Sequence, residues 1–281
     1  MKVQLDCFPC FLKQALIALR LGTNNEVLQE TILKEITDYI KTADTSMPPA
    51  YTTTFIHRKI RQMLGGDPFA EIKAKYNKLA LELYDKLTNI TSNSGNPLLT
   101  ASKLAIAGNV IDFGIFTSID IESTINRALN NELEVDDSEE FIKSVSEINE
   151  ILYLLDNAGE IVFDRILIET LIKANKRVKA VVKGSAVIND ATMFDAEEAG
   201  LTGVCEVIDN GSDAVGTILQ WTSKKFQDEF NEAQMIISKG QGNFETLLHS
   251  RKNIYFLFQS KCRVVSKELG LDNGAMLLMK G

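Results

Sequence analysis

The chain has 281 residues, of which 45% are hydrophobic and 24% charged, so it is long enough to bury a large core and to divide into two parts. Its formal net charge of -8 at pH 7 argues against broad binding to nucleic acid, which needs a basic surface. No apolar run approaches the roughly 18 residues of a membrane span, and the first residues, MKVQLDCFPC, lack the apolar core of a signal peptide. We therefore expect a cytoplasmic protein that binds neither nucleic acid nor membrane.

The N-terminal part of the chain has helical periodicity. Apolar residues recur at spacings of three and four over residues 10–21, 27–43, 53–64 and 70–87, with short breaks that contain Gly or Pro. The segment TSNSGNPLL, which begins at Thr91, is typical of a linker. We expect an all-helical domain over residues 1–95 and a second domain over residues 96–281, which begins with further helices and an acidic loop.

Strand-like segments alternate with helical ones in the second part. Apolar runs at residues 151–155, 178–182, 204–208, 235–238 and 254–258 each lead into a polar loop, and most of these loops precede a helical pattern such as AVGTILQW at residues 214–221. The connections are long enough for right-handed crossovers between parallel strands. The sequence therefore predicts an α/β fold with a Rossmann-like, mostly parallel sheet.

Polar residues follow these strands where each one ends. Asp156 and Asn157 follow the first strand, and Lys183 and Asp190 follow the second. Ser212 follows the third, and the segment KGQGN, which contains Lys239, Gly240, Gly242 and Asn243, follows the fourth. An acid in such a position most often caps the next helix. Because the carboxyl ends of parallel strands meet at one edge of a sheet, the repetition favours a shared ligand-binding cleft.

The residue types at this edge fit a cation and an anion held together. Asp156, Asn157 and Asp190 offer the hard oxygen ligands that divalent cations such as Mg, Mn, Co or Ni accept. Lys183, Lys239 and the backbone N–H groups of the glycine-containing loops offer donors for an anion. A cation beside a phosphate is the apparatus of phosphoryl transfer or phosphate-ester hydrolysis. Asn109, Glu160 and Ser212 complete the candidate phosphate-binding residues.

A second candidate segment, AIAGNVIDFG, lies within the predicted helices. Gly108 inside an apolar helical run costs about 1 kcal/mol relative to Ala, which indicates close packing or a helix end. Asn109 and Asp112 are three residues apart and share a helix face. The segment is either a capped break in a helix or part of the site, with Asp112 or Asp190 orienting a water molecule for attack.

The cysteines give a weaker signal. Cys7 and Cys10 form a CFPC motif at the start of a helical segment, while Cys205 lies within a predicted strand and Cys262 is isolated. A disulfide framework is not expected in a cytosolic chain, and one CxxC motif provides too few ligands for a structural zinc site. Packing and an auxiliary metal or redox role remain equal alternatives for Cys7 and Cys10.

Several of these motifs together resemble the DUF89 family of metal-dependent damage-control phosphatases, in its CxxC-containing bacterial and archaeal subfamily. The resemblance spans nearly the whole chain and lies in CFPCFLKQAL, AGNVIDFG, LDNAGEIVFD, KGSAVINDATMFDA and SKGQGNFE. It implies a helical N-terminal part, a Rossmann-like α/β part and a small phosphorylated metabolite as substrate. By position, it also implies metal ligands at Asp156, Asn157 and Asp190 and a phosphate-binding loop at residues 239–243. Ala186 stands where relatives often have proline.

Two alternatives remain open at the level of sequence. Asp156 is a candidate covalent nucleophile of the haloacid-dehalogenase type, but such enzymes need a second acid two residues later, where this chain has Ala158. We therefore favour attack by water. The second alternative is a nucleotide- or S-adenosylmethionine-binding protein, either a methyltransferase or a non-catalytic sensor. Against it, the first strand leads into DNAGE rather than GxGxxG, and no acid ends the second strand at Val182. The sequence does not determine the substrate, the native cation or the oligomeric state.

Overall fold

The computed structural model describes residues 1–110 and 121–281, except for the side chains of Val110 and residues 121–124. In these ranges the chain forms thirteen α-helices and seven strands. The helices are α1 (Cys7–Gly22), α2 (Glu26–Ile40), α3 (Pro49–Leu64), α4 (Ala70–Leu81), α5 (Tyr84–Ser92), α6 (Pro97–Val110), α7 (Ile121–Asn130), α8 (Ser138–Glu147), α9 (Glu160–Lys173), α10 (Met193–Glu198), α11 (Lys224–Glu232), α12 (Gln241–Leu247) and α13 (Arg263–Leu269). The strands are β1 (Val135–Asp136), β2 (Glu150–Leu154), β3 (Arg177–Val182), β4 (Glu206–Asp209), β5 (Ile236–Lys239), β6 (Ile254–Gln259) and β7 (Met276–Lys280).

The strands form one sheet in the order β1-β7-β6-β5-β2-β3-β4. Every neighbouring pair is parallel except β6 and β7. The predicted α/β fold with a Rossmann-like, mostly parallel sheet is therefore confirmed. The edge strand β1 and its neighbour β7 were not predicted, because β1 has two residues and β7 is a short apolar run outside the strand–helix repeat.

The chain changes direction in the middle of the sheet. From β2 it runs outward through β3 to β4, and β5 then returns to the other side of β2 and continues to β6. The loops that follow β2 and β5 therefore diverge at the carboxyl edge and leave a crevice between the two strands. Ligands of open α/β sheets bind at such a switch point.

Helices cover both faces of the sheet because alternate strand residues point to opposite sides. On β2, Ile151 and Tyr153 belong to the core on one face, and Leu152 and Leu154 belong to the core on the other. Each fully buried apolar side chain of this kind contributes roughly 1.5–3 kcal/mol. In the part of the chain that the structure describes, no helix is both long enough and apolar enough to cross a membrane.

The close contact between α6 and α9 explains the glycine of the AIAGNVIDFG segment. A Cβ atom added to Gly108 would lie 2.9 Å from the Cβ of Phe163, so only glycine allows the two helices to approach this closely. The interpretation of Gly108 as a close-packing residue is confirmed. The contact also brings Asn109 against the beginning of α9, at Glu160.

Helices α1 to α3 share a core of their own above the carboxyl edge of the sheet, whereas Ala80 of α4 and Leu87 of α5 belong to the core of the sheet. The segments predicted at residues 10–21, 27–43 and 53–64 correspond to α1, α2 and α3. The segment at residues 70–87 is two helices, α4 and α5. The domain boundary at residue 95 stays a prediction.

The helix predicted at residues 214–221 is wrong. This segment is a loop that ends in a single 3-10 turn, Leu219–Trp221, and the next helix is α11. Gly216 has a φ of +66°, and an added Cβ there would lie 2.2 Å from the carbonyl oxygen of Gly242. The loop is therefore shaped by close backbone contact with the segment after β5, which the local pattern does not encode.

Candidate active site

Backbone pairing places the three predicted metal ligands side by side at the switch point. Asn157 forms an isolated antiparallel bridge with Asp190. On either side of this bridge, the N–H of Ala191 donates to the carbonyl of Asp156 at 2.8 Å, and the N–H of Ala158 donates to the carbonyl of Asn189 at 2.9 Å. The loop after β2 and the loop after β3 thus form a short ladder that fixes Asp156, Asn157 and Asp190 relative to one another.

Two amide groups bridge the carboxylates of Asp156 and Glu160. Nδ2 of Asn157 donates to Asp156 Oδ2 at 2.6 Å and to Glu160 Oε2 at 2.9 Å. Nδ2 of Asn109 donates to the same two oxygens, at 2.9 Å and 2.8 Å. Since both Nδ2 atoms are used in this way, each amide is left with its Oδ1 to offer to a cation or a water molecule.

The clustered acids strongly perturb one another. Burial, together with the negative charges of Glu160 and Asp190, raises the pKa of Asp156 well above its usual range. Burial also raises the pKa of Asp190, although the neighbouring ammonium of Lys183, 3.3 Å from Asp190 Oδ2, opposes this shift. Crowded carboxylates with raised pKa values are typical of cation-binding sites, because the charge of the cation relieves the repulsion between them.

Lys239 lies behind these acids and differs from its predicted role. Its side chain is completely buried, and Nζ contacts Glu160 Oε1 at 2.5 Å, Asp164 Oδ1 at 2.7 Å and the carbonyl of Ala105 at 2.9 Å. An ammonium has three donors, so all of them are used within the protein. This geometry disagrees with direct binding of phosphate oxygens by Lys239, because reaching for an anion would leave two buried carboxylates without their cation.

The ion cluster continues on the far side of Lys239. The hydroxyl of Tyr153 donates to Asp164 Oδ1 at 2.7 Å. Burial outweighs the charge of Lys239 and raises the pKa of Asp164 to about 7, whereas Lys239 overcomes burial at Glu160 and lowers its pKa. Asp164 was missed by the sequence analysis. The sequence does contain a signal for Asp164, because Glu160 and Asp164 are four residues apart in an otherwise apolar helix and so share a buried face.

Three of the remaining phosphate-binding candidates are buried beside the cleft, where they support the site without lining the cleft. Asn243 is buried, donates to the carbonyl of Lys239 at 2.8 Å and accepts from Thr217 Oγ1 at 2.7 Å. Ser212 is buried in the loop after β4, where its carbonyl accepts from the N–H of Gly184 at 2.9 Å. Lys183 is buried between Asp190 and the carbonyl of Gly216. These three residues hold neighbouring loops together.

The glycines of the loop after β5 are set by close contacts. Gly240 has a φ of +82°, and an added Cβ would lie 2.1 Å from the carboxylate carbon of Asp156. Gly242 lines the cleft and packs on Gly216. The predicted glycine loop therefore gives Asp156 the space it occupies, a role that requires the absence of a side chain.

A cleft of about 670 Å³ opens onto these residues from the side of the N-terminal helices. Asp156, Asn157, Asp190 and Gly242 form its polar end, and Lys261, whose positive charge lowers the pKa of Asp156, lies at the same end. The side chain of Lys261 is exposed. Among the lysines near Asp156, it is thus better placed than the buried Lys183 or Lys239 to meet an anion.

Three cysteines line the same cleft. Cys7 and Cys10 of the CFPC motif and Cys262 come together from the two ends of the chain, and all are free thiols. Burial raises the pKa of Cys7 and of Cys10, so both stay protonated at neutral pH. The two thiols are therefore next to the candidate site without being activated as nucleophiles.

The oxygen-rich end of the cleft fits a cation. Asn109 Oδ1 is buried, and no residue within 1–110 or 121–281 gives it a hydrogen bond. Asp190 Oδ2 is also buried and contacts the ammonium of Lys183 at 3.3 Å. In these ranges no three His, Cys, Asp or Glu side chains are arranged as a metal site. Asp156 and Asp190 therefore form a set of three ligands only together with the amide oxygen of Asn157. Hard oxygen donors of this kind suit Mg or Mn better than soft metals. The predicted catalytic residue Asp112 lies outside the described residues.

Comparison with known proteins agrees with the resemblance seen in the sequence. A family model described as the damage-control phosphatase ARMT1-like domain matches residues 3–277. A Methanocaldococcus jannaschii protein whose name states no function is 38% identical over 99% of this chain and 95% of its own length. Proteins named damage-control phosphatase from Pyrococcus horikoshii and Archaeoglobus fulgidus are 35% and 32% identical, over 100% and 99% of this chain and 98% of each relative.

The fold comparison gives the same result. The crystal structure of a DUF89 family protein from Pyrococcus horikoshii at 2.04 Å resolution matches with a TM-score of 0.92 and 35% identity, and the match covers 100% of this chain and 99% of that chain. Similarity of this extent covers the helical part as well as the sheet. The chain therefore belongs to the ARMT1-like, or DUF89, family of damage-control phosphatases, and it is a phosphatase.

Proposed function

We propose that this phosphatase is a divalent-cation-dependent phosphomonoester hydrolase that acts on small phosphorylated metabolites. One observation carries the proposal: the bridge between Asn157 and Asp190 unites two carboxylates and an amide oxygen at the switch point of the sheet. Asp156, Asn157 Oδ1 and Asp190 would hold the cation, and Asn109 lies beside them through its hydrogen bond to Asp156. A bound Mg or Mn ion would supply Lewis-acid neutralisation of the charge on the phosphate.

The residues of the chain have distinct parts in this proposal. Lys261 attracts and orients the phosphate from the open side of the cleft. Asp190, whose pKa is raised by burial, accepts a proton from the attacking water, a role that Asp112 would share. Lys239 acts through Glu160, whose carboxylate it keeps charged so that Glu160 holds the amides of Asn109 and Asn157 in place.

Replacing Asp156 tests the cation site. Asp156→Asn removes a charged ligand while keeping the shape of the side chain, so phosphate release from an aryl phosphate in limiting Mg or Mn should fall by more than the ~10–100-fold typical of losing an outer-shell partner. Without added cation, the variant should unfold at the same or a higher urea concentration than the parent, because one of three crowded carboxylates becomes neutral.

The matched control is Asp209→Asn, which neutralises an acid at the end of β4 that does not line the cleft. Equal activity of the two variants at limiting cation would place the site elsewhere. Binding of S-adenosylmethionine by the parent, without any phosphate release, would instead favour the nucleotide-binding alternative.

The choice between water and Asp156 as nucleophile needs a separate measurement. A phosphate ester that is chiral at phosphorus should give inverted inorganic phosphate, because a single displacement by water inverts the configuration once. Retention would show two displacements and a covalent aspartyl intermediate. Inversion is expected, because the Asp156 carboxylate is held by two amides and is packed against Gly240.

A further inference from the structure

The cleft extends from the polar end into a wall made by the N-terminal helices. This wall is largely apolar and is formed by Phe11, Ile17, Leu21, Phe69 and Ile72. A phosphate group fills only the polar end of a cleft whose volume, about 670 Å³, lies in the ~300–1,000 Å³ range of sites for small organic ligands. The remaining space is available to the alcohol half of a phosphate ester.

His57 lies in this wall and has an unused hydrogen-bonding atom. Its side chain is buried, with 2% exposure, and its ring packs 5.9 Å from the ring of Phe69. Within the described ranges, no residue gives its Nε2 a hydrogen bond. Gln14 Oε1, in the same cleft, also has no partner in those ranges. Buried polar atoms are nearly always paired, so two unpaired atoms in one cleft wall call for a partner that occupies the cleft.

We propose that this wall binds the alcohol half of the substrate and that His57 selects it, by a hydrogen bond between Nε2 and a hydroxyl group carried on an apolar carbon skeleton. The inference rests on the proposed function. It narrows the substrate class to phosphate monoesters whose leaving alcohol has an apolar stem, which packs on Phe11, Phe69 and their neighbours, and a second hydroxyl group beyond it.

The charge state of His57 explains the preference for a hydroxyl over a second acid. Burial, and to a smaller extent the positive charge of Arg61, lowers the pKa of His57 to about 3, so the imidazole is neutral at physiological pH. A neutral imidazole has one donor and one acceptor nitrogen, and a hydroxyl group matches Nε2 in either tautomer. His57 therefore supplies no counter-charge for a carboxylate or a second phosphate, and the charge of Arg61 is already paired with Asp213.

Two series of probe substrates test the wall. Unbranched alkyl phosphates and their ω-hydroxyalkyl counterparts are compared at increasing chain length in the presence of Mg or Mn. While the chain contacts the wall, kcat/KM for the alkyl series should rise by about fourfold for each added methylene. The ω-hydroxyalkyl ester should be favoured about tenfold or more over its alkyl counterpart at the length that reaches His57.

Variants of His57 assign the hydroxyl selectivity to this residue. His57→Phe keeps a ring against Phe69 but removes the nitrogen, so the hydroxyl preference should disappear through a higher KM, with little change in kcat. His57→Gln keeps a donor and an acceptor and should restore part of the preference. His249→Phe is the matched control, because His249 is the only other histidine in the sequence and does not line the cleft.

A binding measurement removes the dependence on catalysis. With two histidines in the chain, the ¹⁵N-labelled imidazoles give two sets of NMR signals, which His249→Gln assigns. The free diol of the selected length should shift the His57 signals without any cation, and the matching simple alcohol should shift them less.

No shift with the diol, or an unchanged hydroxyl preference in His57→Phe while aryl phosphate is still hydrolysed, would overturn the inference and leave the proposed function intact. A diol-induced shift in a protein that hydrolyses no ester would support the subsite and contradict the proposed function.

Discussion

At the scale of single residues, the main feature is a buried lysine shared by two carboxylates. Lys239, Glu160 and Asp164 are all at most 1% exposed, so their charges are compensated almost entirely by one another. Removal of one partner from a buried ion cluster is far more costly than the loss of a surface pair, because it leaves an uncompensated charge. The cluster also connects the core of the sheet to the amides that hold Asp156.

Lys239→Met should therefore lower the stability of the fold as well as the activity. The change leaves two buried carboxylates without a cation, and we expect the free energy of unfolding to fall by about 3–5 kcal/mol in urea at neutral pH. Lys224→Met is the control, since the pair between Lys224 and Asp228 is exposed and its loss should change little. A triple variant that also contains Glu160→Gln and Asp164→Asn should recover most of the lost stability. Equal stability of Lys239→Met and Lys224→Met would contradict the buried-cluster interpretation.

At the scale of elements, the site depends on two strand-to-helix turns with glycine at the beginning of the helix. Gly159 precedes α9 with a φ of +77°, and Gly240 precedes α12 with a φ of +82°. In the loop after β3, Ile188 has a φ of +45° and packs against the core of α1 to α3. A branched residue in this conformation costs of order 1–3 kcal/mol, which indicates that packing against the helices holds the loop that carries Asp190 in place.

Gly240→Ala should disable the site through its local geometry. The added Cβ would lie 2.1 Å from the carboxylate carbon of Asp156, so the carboxylate must move away from Asn109 and Asn157. We expect cation-dependent phosphate release to fall by about a hundredfold or more, since small misplacements of reacting groups have effects of this size. Gly203→Ala, where no atom lies within 4 Å of the added Cβ, should retain activity. Cation affinity from calorimetry would complete the test, and wild-type affinity in Gly240→Ala would contradict it.

At the scale of the whole molecule, the cleft exists because α3 and α4 are attached to the carboxyl edge of the sheet by buried and half-buried polar contacts. Asn77 of α4 donates to Asp195 at 3.0 Å and to Glu198 at 2.9 Å, and it accepts from the N–H of Gly159 at 2.7 Å. On the other side, Asp213 accepts hydrogen bonds from Arg58 and Arg61 of α3. These contacts fix the distance between the apolar wall and the proposed cation ligands.

Asp213→Asn tests this attachment through its pH dependence. Burial opposes ionisation of Asp213, but the hydrogen bonds from Arg58 and the charges of both arginines lower its pKa below the usual range. The carboxylate therefore stabilises the folded state above about pH 4, and this contribution disappears as the pH falls through the lowered pKa. At pH 7 the variant should lose about 1–2 kcal/mol, with a higher KM for larger esters, and the deficit should shrink toward pH 3. A deficit in urea unfolding that is the same at both pH values would exclude the charge as its cause.

Much of the architecture was predictable from local patterns. The apolar runs that became β2, β3, β5 and β6 are short, buried on both faces and separated by helical periodicity, and a parallel sheet follows from such a pattern. Since parallel strands bring their carboxyl ends to one edge, the convergence of Asp156, Asn157 and Asp190 could be predicted without knowing the strand order. The structure places these three together, and their role as cation ligands stays a proposal.

The tertiary structure decided what the other polar residues do. The local sequence around a lysine that follows a strand is the same whether its ammonium points to solvent, to a ligand or into the core. The direction of the side chain depends on partners at distant positions in the chain. Lys239 turned inward because Glu160, Asp164 and the carbonyl of Ala105 surround it, and these groups come from elements that are far apart in the chain. His57 gained a place in the cleft because α3 was attached above the sheet. Local periodicity determined the elements and the edge where the site lies, whereas long-range packing determined which charges are buried and which atoms remain free for a substrate.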